Sequence, residues 1–152
     1  MLTTQALIDA ALARGLREKL PGEWWRQGIV CPSCKKADRV EKVEDRYQRY
    51  SCDCGTNFSR KDDSEYSEVL DYPDLTAPAN LYELLRFADA VGSGPCSINP
   101  YLEVDGEWFF SAHIWRRGPV ADVADSFNGN GPDRTTAVLT ACAKALGVEG
   151  AG

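Results

Sequence analysis

Two closely spaced pairs of cysteines constrain this chain more than any other feature of its sequence. Cys31 and Cys34 lie in Cys-Pro-Ser-Cys, and Cys52 and Cys54 lie in Cys-Asp-Cys-Gly, with seventeen residues between the pairs. This spacing is typical of a metal site in which each pair lies on a tight turn. Four thiolates complete a tetrahedral zinc shell with bonds of about 2.3 Å and leave no open position. The sequence therefore predicts a structural Zn²⁺ ion whose chemistry is to stabilise the fold.

Two other interpretations of these cysteines stay open. A disulfide would require an oxidising compartment, but the N-terminal residues lack the charged and apolar regions of a secretory signal, so we expect a cytoplasmic protein. Inert buried thiols are disfavoured because charged and polar residues such as Lys35, Asp53 and Asn57 surround the pairs. The Cys-x-Cys spacing of the second pair is less common, so a three-sulfur site completed by another ligand also stays open.

The segment between the cysteine pairs has the alternation of a β-hairpin, with Arg39–Glu44 and Arg46–Ser51 on either side of Asp45. Cysteine-bearing turns at the ends of such a hairpin are the arrangement of a zinc ribbon. From Cys31 to Lys61 there are eight basic and five acidic residues, a net charge of +3. Basic and aromatic side chains are suited to phosphate and base contacts. The predicted nucleic-acid-binding residues are Lys35, Lys36, Arg39, Arg46, Tyr47 and Arg49.

The remainder of the chain has the opposite charge. Asp62 to Gly152 carries five basic and fifteen acidic residues, a net charge of −10. Such a body repels phosphates, so we expect any nucleic-acid contact to be confined to the ribbon. No apolar run approaches the ~18 residues of a membrane span, and we expect no membrane partner.

The pattern along the chain predicts three parts. Residues 1–61 would combine the ribbon with an amphipathic helix over residues 4–20, capped by Thr3 or Thr4 and stopped at Pro21-Gly22. Residues 62–79 would be an acidic linker with few core residues. Residues 80–148 would form a small α-β-β-β-α sandwich. The predicted fold class is therefore α+β.

Within residues 80–148 the elements follow from periodicity and turn signals. Asn80 and Glu83 predict a capping box, and Asp105-Gly106 predicts a two-residue hairpin turn. Asn128–Gly131 is interpreted as a flexible connector. The predicted elements are a helix over Asn80–Val91, hairpin strands from Tyr101 and Trp108, a third strand over Val120–Phe127, and a helix over Pro132–Leu146.

The cysteine motifs resemble those of known ribbons. The residues that carry the likeness are Cys31-Pro-Ser-Cys34, Asp38-Arg39, Arg49-Tyr50, Cys52-Asp-Cys-Gly55 and Phe58. This set resembles the zinc ribbons of phage and mobile-element proteins, and it is similar to those of satellite-phage primases, some transposases and phage restriction-alleviation proteins. The resemblance covers about thirty residues. It implies a phage setting close to nucleic-acid chemistry.

The C-terminal part, Leu81 to Leu146, resembles the α-β-β-β-α sandwich domain of uncharacterised phage proteins. The likeness rests on Trp108-Phe-Phe-Ser-Ala-His-Ile and on the closing stretch Asp133–Leu146. It implies a fold and no activity.

Catalysis is not expected from this sequence. His113 is the single histidine, and a catalytic histidine needs identifiable partners. Cys96, the remaining candidate nucleophile, has no recognisable activating neighbour. An enzyme that uses either residue is therefore the weakest of the hypotheses.

The sequence thus predicts a small non-catalytic phage accessory protein. Its ribbon would bind DNA, RNA or a nucleic-acid-processing protein, with Zn²⁺ as cofactor and no small-molecule substrate. The alternative is an inhibitor of a host defence or transcription protein that acts through the acidic C-terminal part, as anti-restriction and DNA-mimic proteins do.

Overall fold

A computed structural model of the chain describes residues 2–38, 40–44, 49–59, 66–117 and 124–148. Over these ranges the fold is α+β, as predicted, with three α-helices and three small antiparallel sheets. The chain divides into two units, one made of Met1–Pro21 with Pro73–Gly152 and the other of Gly22–Tyr72. None of the helices described is both long and apolar enough to cross a bilayer.

This division differs from the predicted one, because the N-terminal helix does not belong with the ribbon. Helix α1 (Thr4–Ala13) packs in the first unit, where Leu7 and Ile8 are almost completely buried. The Thr4 hydroxyl donates to Asp74 at 3.0 Å and accepts from the Leu75 N–H at 2.9 Å. Helical periodicity shows which face of a helix is buried, but it does not show what covers that face.

Helix α1 is also shorter than predicted. Thr3 is its N-cap and accepts from the Ala6 N–H at 3.1 Å. The helix ends at Ala13, because Gly15 has a φ of +75°, which a right-handed helix cannot include. Leu16 and Leu20 are still buried, on a chain that continues as a short 3₁₀ turn. Apolar spacing therefore identified most of the buried residues, although Leu12 is 37% exposed, and it extended the helix too far.

The first unit has the predicted order of helix, three strands and helix. The elements of residues 80–148 are α2 (Leu81–Val91), β6 (Ser97–Leu102), β7 (Trp108–Arg117), β8 (Ala124–Gly131) and α3 (Arg134–Leu146). The three strands form one sheet in the order β6-β7-β8, and helices α2 and α3 both contact β7. Fully buried side chains of this unit include Phe87, Leu84, Ile114, Val138 and Cys142.

The prediction of a flexible connector at Asn128–Gly131 was wrong. These residues form the second half of β8 and pair with β7, with Asn128 opposite His113 and Gly131 opposite Phe110. A Cβ at Gly129 would overlap the backbone of Ala137 and Ala141 in α3. The glycines therefore permit close helix–strand packing, which sequence alone does not distinguish from a loop. Val120 to Val123, where the strand was predicted to begin, lie outside the described residues.

Two local predictions in the first unit were also wrong. The β6–β7 hairpin is present, but its loop spans residues 103–107, with Glu103 N–H donating to Glu107 O at 2.8 Å and Gly106 N–H donating to Glu103 O at 3.0 Å. Asn80 does precede α2, but its side chain donates to the Asp74 carbonyl at 2.9 Å and does not cap the helix. Glu83 contacts Arg86 at 3.4 Å.

The second unit contains two small sheets. Strand β1 (Trp25–Ile29) pairs antiparallel with β5 (Tyr66–Leu70). Strands β2 (Val40–Glu44), β3 (Arg49–Cys52) and β4 (Asn57–Ser59) form the ribbon sheet. The ribbon hairpin is confirmed at β2 and β3, and its predicted tip at Asp45 lies outside the described residues.

The acidic linker predicted over residues 62–79 is largely structured. Strand β5 lies within it, with Val69 buried, and Leu75 is completely buried. Tyr66–Leu70 forms a strand and not a linker because it pairs with β1, which lies about forty residues away in the sequence. Residues 62–65 lie outside the described residues.

Candidate metal centre

The first cysteine pair lies on a turn closed by backbone hydrogen bonds. The Cys31 N–H donates to the Lys36 carbonyl, and the Lys35 N–H donates to the Cys31 carbonyl, each at 2.9 Å. Lys35 has a φ of +62°, in the left-handed region that non-glycine residues rarely adopt. The turn brings Cys31, which is fully buried, and the half-buried Cys34 to the same side of the chain.

The second pair lies on a turn between β3 and β4. The Cys52 N–H donates to the Thr56 carbonyl, and the Gly55 N–H donates to the Cys52 carbonyl, each at 2.9 Å. Gly55 has a φ of +93°, which accounts for the glycine in Cys-Asp-Cys-Gly. Cys52 is buried and Cys54 is exposed. Although one residue fewer than usual separates these cysteines, both sulfur atoms point to one cluster.

The four sulfur atoms lie at distances that suit a metal ion. Cys31 Sγ is 3.6 Å from Cys54 Sγ, Cys34 Sγ is 3.5 Å from Cys52 Sγ, and all four lie within 4.8 Å of one another. A tetrahedral shell with bonds of about 2.3 Å places its sulfur atoms about 3.8 Å apart. A disulfide needs about 2.05 Å, and all four cysteines are free. The donor set therefore fits a thiophilic cation, and these cysteines could hold a metal ion.

Contacts within the cluster give the thiols of Cys31, Cys52 and Cys54 different pKa values. The Cys34 N–H lowers the pKa of Cys31, and the hydroxyl and N–H of Thr56 lower the pKa of Cys54 to about 6. The Cys54 N–H favours the Cys52 thiolate, but burial and the neighbouring sulfur atoms outweigh it and raise the Cys52 pKa to about 12. Thiolates in one cluster repel one another, so a divalent cation is what would allow all four to ionise together.

The predicted nucleic-acid-binding residues are only partly brought together. Lys35 and Lys36 are exposed on the first cysteine turn, next to the cluster. Arg49 is exposed on β3 opposite Ser59, so it lies on the sheet face opposite to that of its neighbour Tyr50. Arg39, Arg46 and Tyr47 lie outside the described residues.

Sequence reasoning missed a groove in the same unit. The groove has a volume of about 370 Å³ and is lined by β1, β2, β3 and β5. Its charged and aromatic residues are Arg26, Lys42, Tyr50 and Tyr66. Tyr50 stacks on Phe58 with ring centroids 5.6 Å apart, whereas Tyr66 is 47% exposed. The strand-like alternation of Tyr66-Ser-Glu-Val-Leu was the available signal, but its pairing with β1 was not predictable from it.

The single histidine lies in a hydrogen-bonded network on the sheet face of the first unit opposite to that of buried Ala112 and Ile114. His113 Nε2 is 3.1 Å from Ser111 Oγ, and Nδ1 contacts Asn128 Oδ1. The order of hydroxyl, imidazole and amide is that of hydrolase triads. Ser111 lies within a paired strand, where backbone N–H groups point along the sheet and not towards its hydroxyl. These strands therefore offer the hydroxyl no oxyanion hole.

Cys96 is held as a neutral thiol. Burial and the neighbouring Asp89 carboxylate raise its pKa to about 11, although a backbone hydrogen bond from His113 opposes this shift. A thiolate is the nucleophilic form of cysteine, so at neutral pH Cys96 is poorly suited to attack a substrate.

Comparison of the chain with protein-family models, with curated proteins and with solved structures finds no match.

Proposed function

We propose that this protein binds nucleic acid through a zinc ribbon, as an accessory and not a catalytic protein of the phage and mobile-element kind that its motifs resemble. The observation that carries this proposal is the convergence of four cysteine sulfur atoms beside a turn that exposes Lys35 and Lys36. A zinc ion would close both cysteine turns and fix the position of these lysines. The chain's own residues then supply the phosphate contacts.

Electrostatics support a local binding surface. The segment from Cys31 to Lys61 has a net charge of +3, but Gly22–Tyr72 as a whole has nine basic and eleven acidic residues. Attraction for phosphates is therefore confined to the ribbon, and few phosphates are contacted at once. We expect a short footprint and a moderate dependence of affinity on salt.

Metal analysis tests the zinc site. Protein purified under reducing conditions should contain one Zn²⁺ per chain, because four thiolates complete the shell. Cys34→Ser and Cys54→Ser should each lose most of this zinc. Cys96→Ser is the matched control and should retain it, since Cys96 lies in the other unit. Equal zinc in all three variants would contradict the site.

Fluorescence anisotropy with labelled DNA and RNA at about 50 mM salt tests the binding surface. The double variant Lys35→Glu with Lys36→Glu should weaken binding at least tenfold and reduce the salt slope by about 1.5. Arg117→Glu with Lys144→Glu, two exposed residues of the other unit, should leave binding unchanged. No affinity for either nucleic acid would contradict the proposal and favour the acidic inhibitor.

A further inference from the structure

We propose that the groove between β1, β2, β3 and β5 accepts an unpaired base. The second unit, Gly22–Tyr72, which we call the ribbon unit, would then recognise single-stranded nucleic acid. This inference rests on the proposed function and specifies its substrate. The groove belongs entirely to the Gly22–Tyr72 unit and is lined by residues of both small sheets.

Aromatic side chains on two sides of the groove supply stacking surfaces. Tyr50 is held by its stacked contact with Phe58, at an interplanar angle of 24°. Tyr66 stands on β5 and is 47% exposed. A tyrosine ring stacks on any base, but a base in a duplex already has both faces covered by its neighbours. Rings of this kind therefore favour an unpaired base over a duplex.

Cations flank the same groove. Lys42 is exposed on β2 directly opposite Tyr50 in the sheet register. Arg26, on β1, bonds through Nε to Asp71 at 3.2 Å, and its side chain is 47% exposed. This ion pair orients the guanidinium, which has five N–H donors in all. Lys42 lies on the same sheet face as Tyr50, so a base against Tyr50 would bring its own phosphate within reach of Lys42.

Two small residues line the groove. They are Gly28 and Ala37, and both are buried. A Cβ at Gly28 would lie 2.5 Å from Val69 Cγ2 and 3.3 Å from the Ala37 Cβ, so there is no room for a side chain at position 28. The volume of the groove, about 370 Å³, lies at the lower end of the range of ligand pockets. That volume suits one nucleotide and not a folded partner.

The test compares a labelled single strand of about 12 nucleotides with the duplex of the same sequence, on full-length, zinc-loaded protein. The single strand should bind more tightly. Tyr66→Leu keeps apolar bulk but removes the ring, and it should weaken single-strand binding about 5- to 150-fold, the loss of one stacked base. Tyr82→Leu is the matched control, because Tyr82 is 72% exposed in the other unit, and it should bind like the wild type.

A second measurement does not depend on any variant. Single-stranded DNA carrying 5-iodouracil should crosslink on irradiation to Tyr66 or Tyr50, as mapped by peptide mass spectrometry. Crosslinks confined to other residues, or full single-strand affinity in a zinc-loaded Tyr66→Leu variant, would overturn the groove. Tighter duplex binding that still depends on Lys35 and Lys36 would overturn the groove and leave the proposed function standing. No binding to either probe would overturn both.

Discussion

Lys35 combines a strained backbone conformation with a proposed phosphate contact. It has the only positive φ of a non-glycine residue among those described, and it closes the first cysteine turn. A residue with a Cβ in the left-handed region costs about 1–2 kcal/mol. The lysine at this position places a cation next to the cysteine cluster, at a backbone cost that glycine would not have.

Two substitutions at this position separate conformation from charge. Lys35→Gly and Lys35→Ala both remove the ammonium group, but only glycine relieves the backbone strain. We expect the glycine variant to be more stable than the alanine variant by about 1 kcal/mol, and both to lose the same nucleic-acid affinity. Thermal unfolding of the zinc-loaded proteins and anisotropy measure the two effects. Equal stability of the variants would contradict the strain, and unchanged affinity in both would remove Lys35 from the binding surface.

A site residue could be predicted when the residues that fix its position lie close to it in the sequence. The cysteine cluster follows from the spacing within each turn, and Gly55 follows from the turn it occupies. Arg26 and Tyr66 could not be assigned to a site, because their neighbourhood is created by the pairing of β1 with β5 across about forty residues. Arg49 stays a predicted nucleic-acid-binding residue, on the face of β3 opposite to that of Tyr50.

Strand β8 and helix α3 pack closely in the first unit. Gly129 and Gly131 face α3, and a Cβ at Gly131 would lie 2.7 Å from Thr136 Cγ2. The helix is fixed at its start by Asp133, which accepts from the Thr136 N–H at 2.7 Å. The helix therefore cannot easily move away from the strand to accommodate a larger residue.

Gly129→Ala should consequently be severely destabilising. The added methyl would overlap backbone atoms of α3, so we expect a loss of at least about 3 kcal/mol. Asn130→Ala is the matched control on the same strand, where the side chain is exposed, and it should change stability by less than about 0.5 kcal/mol. Urea unfolding followed by circular dichroism measures both. A mild effect at Gly129 would show that α3 can shift.

The helix–strand–strand–strand–helix order of residues 80–148 was predictable, because it follows from changes of hydrophobic period that depend on many residues. Strand β5 was not predicted, because Tyr66–Leu70 follows an acidic stretch and its partner β1 is distant in sequence. Gly-rich Asn128–Gly131 has a composition typical of loops, and pairing with β7 makes it a strand. Tertiary pairing outweighed local propensity in both cases.

For the whole molecule, the two units differ in what stabilises them. The first unit has a core of fully buried side chains such as Phe87, Ile114 and Val138. Among the described residues of the second unit, Cys31, a candidate metal ligand, is the least exposed. We therefore expect the folding of this unit to depend on a metal ion held by its four cysteines.

Metal removal should therefore unfold one unit selectively. Excess chelator added to zinc-loaded protein should abolish amide-exchange protection in β3 and β4 while β7 and α3 keep theirs. Hydrogen–deuterium exchange with mass spectrometry resolves these segments. Cys52→Ser should reproduce the pattern without chelator. Protection that persists in β3 and β4 would contradict a structural metal, and simultaneous loss in α3 would contradict independent units.

The pairing of β1 with β5 brings the two ends of the Gly22–Tyr72 unit close together. The Asp71 N–H donates to the Trp24 carbonyl at 2.6 Å, so the polypeptide enters and leaves the ribbon unit at adjacent points. A module with neighbouring ends can be spliced into a surface loop of another domain without disturbing the host's continuity. Gly22–Tyr72 therefore meets the structural requirement for a unit that can be inserted or exchanged as a whole, between Pro21 and Pro73.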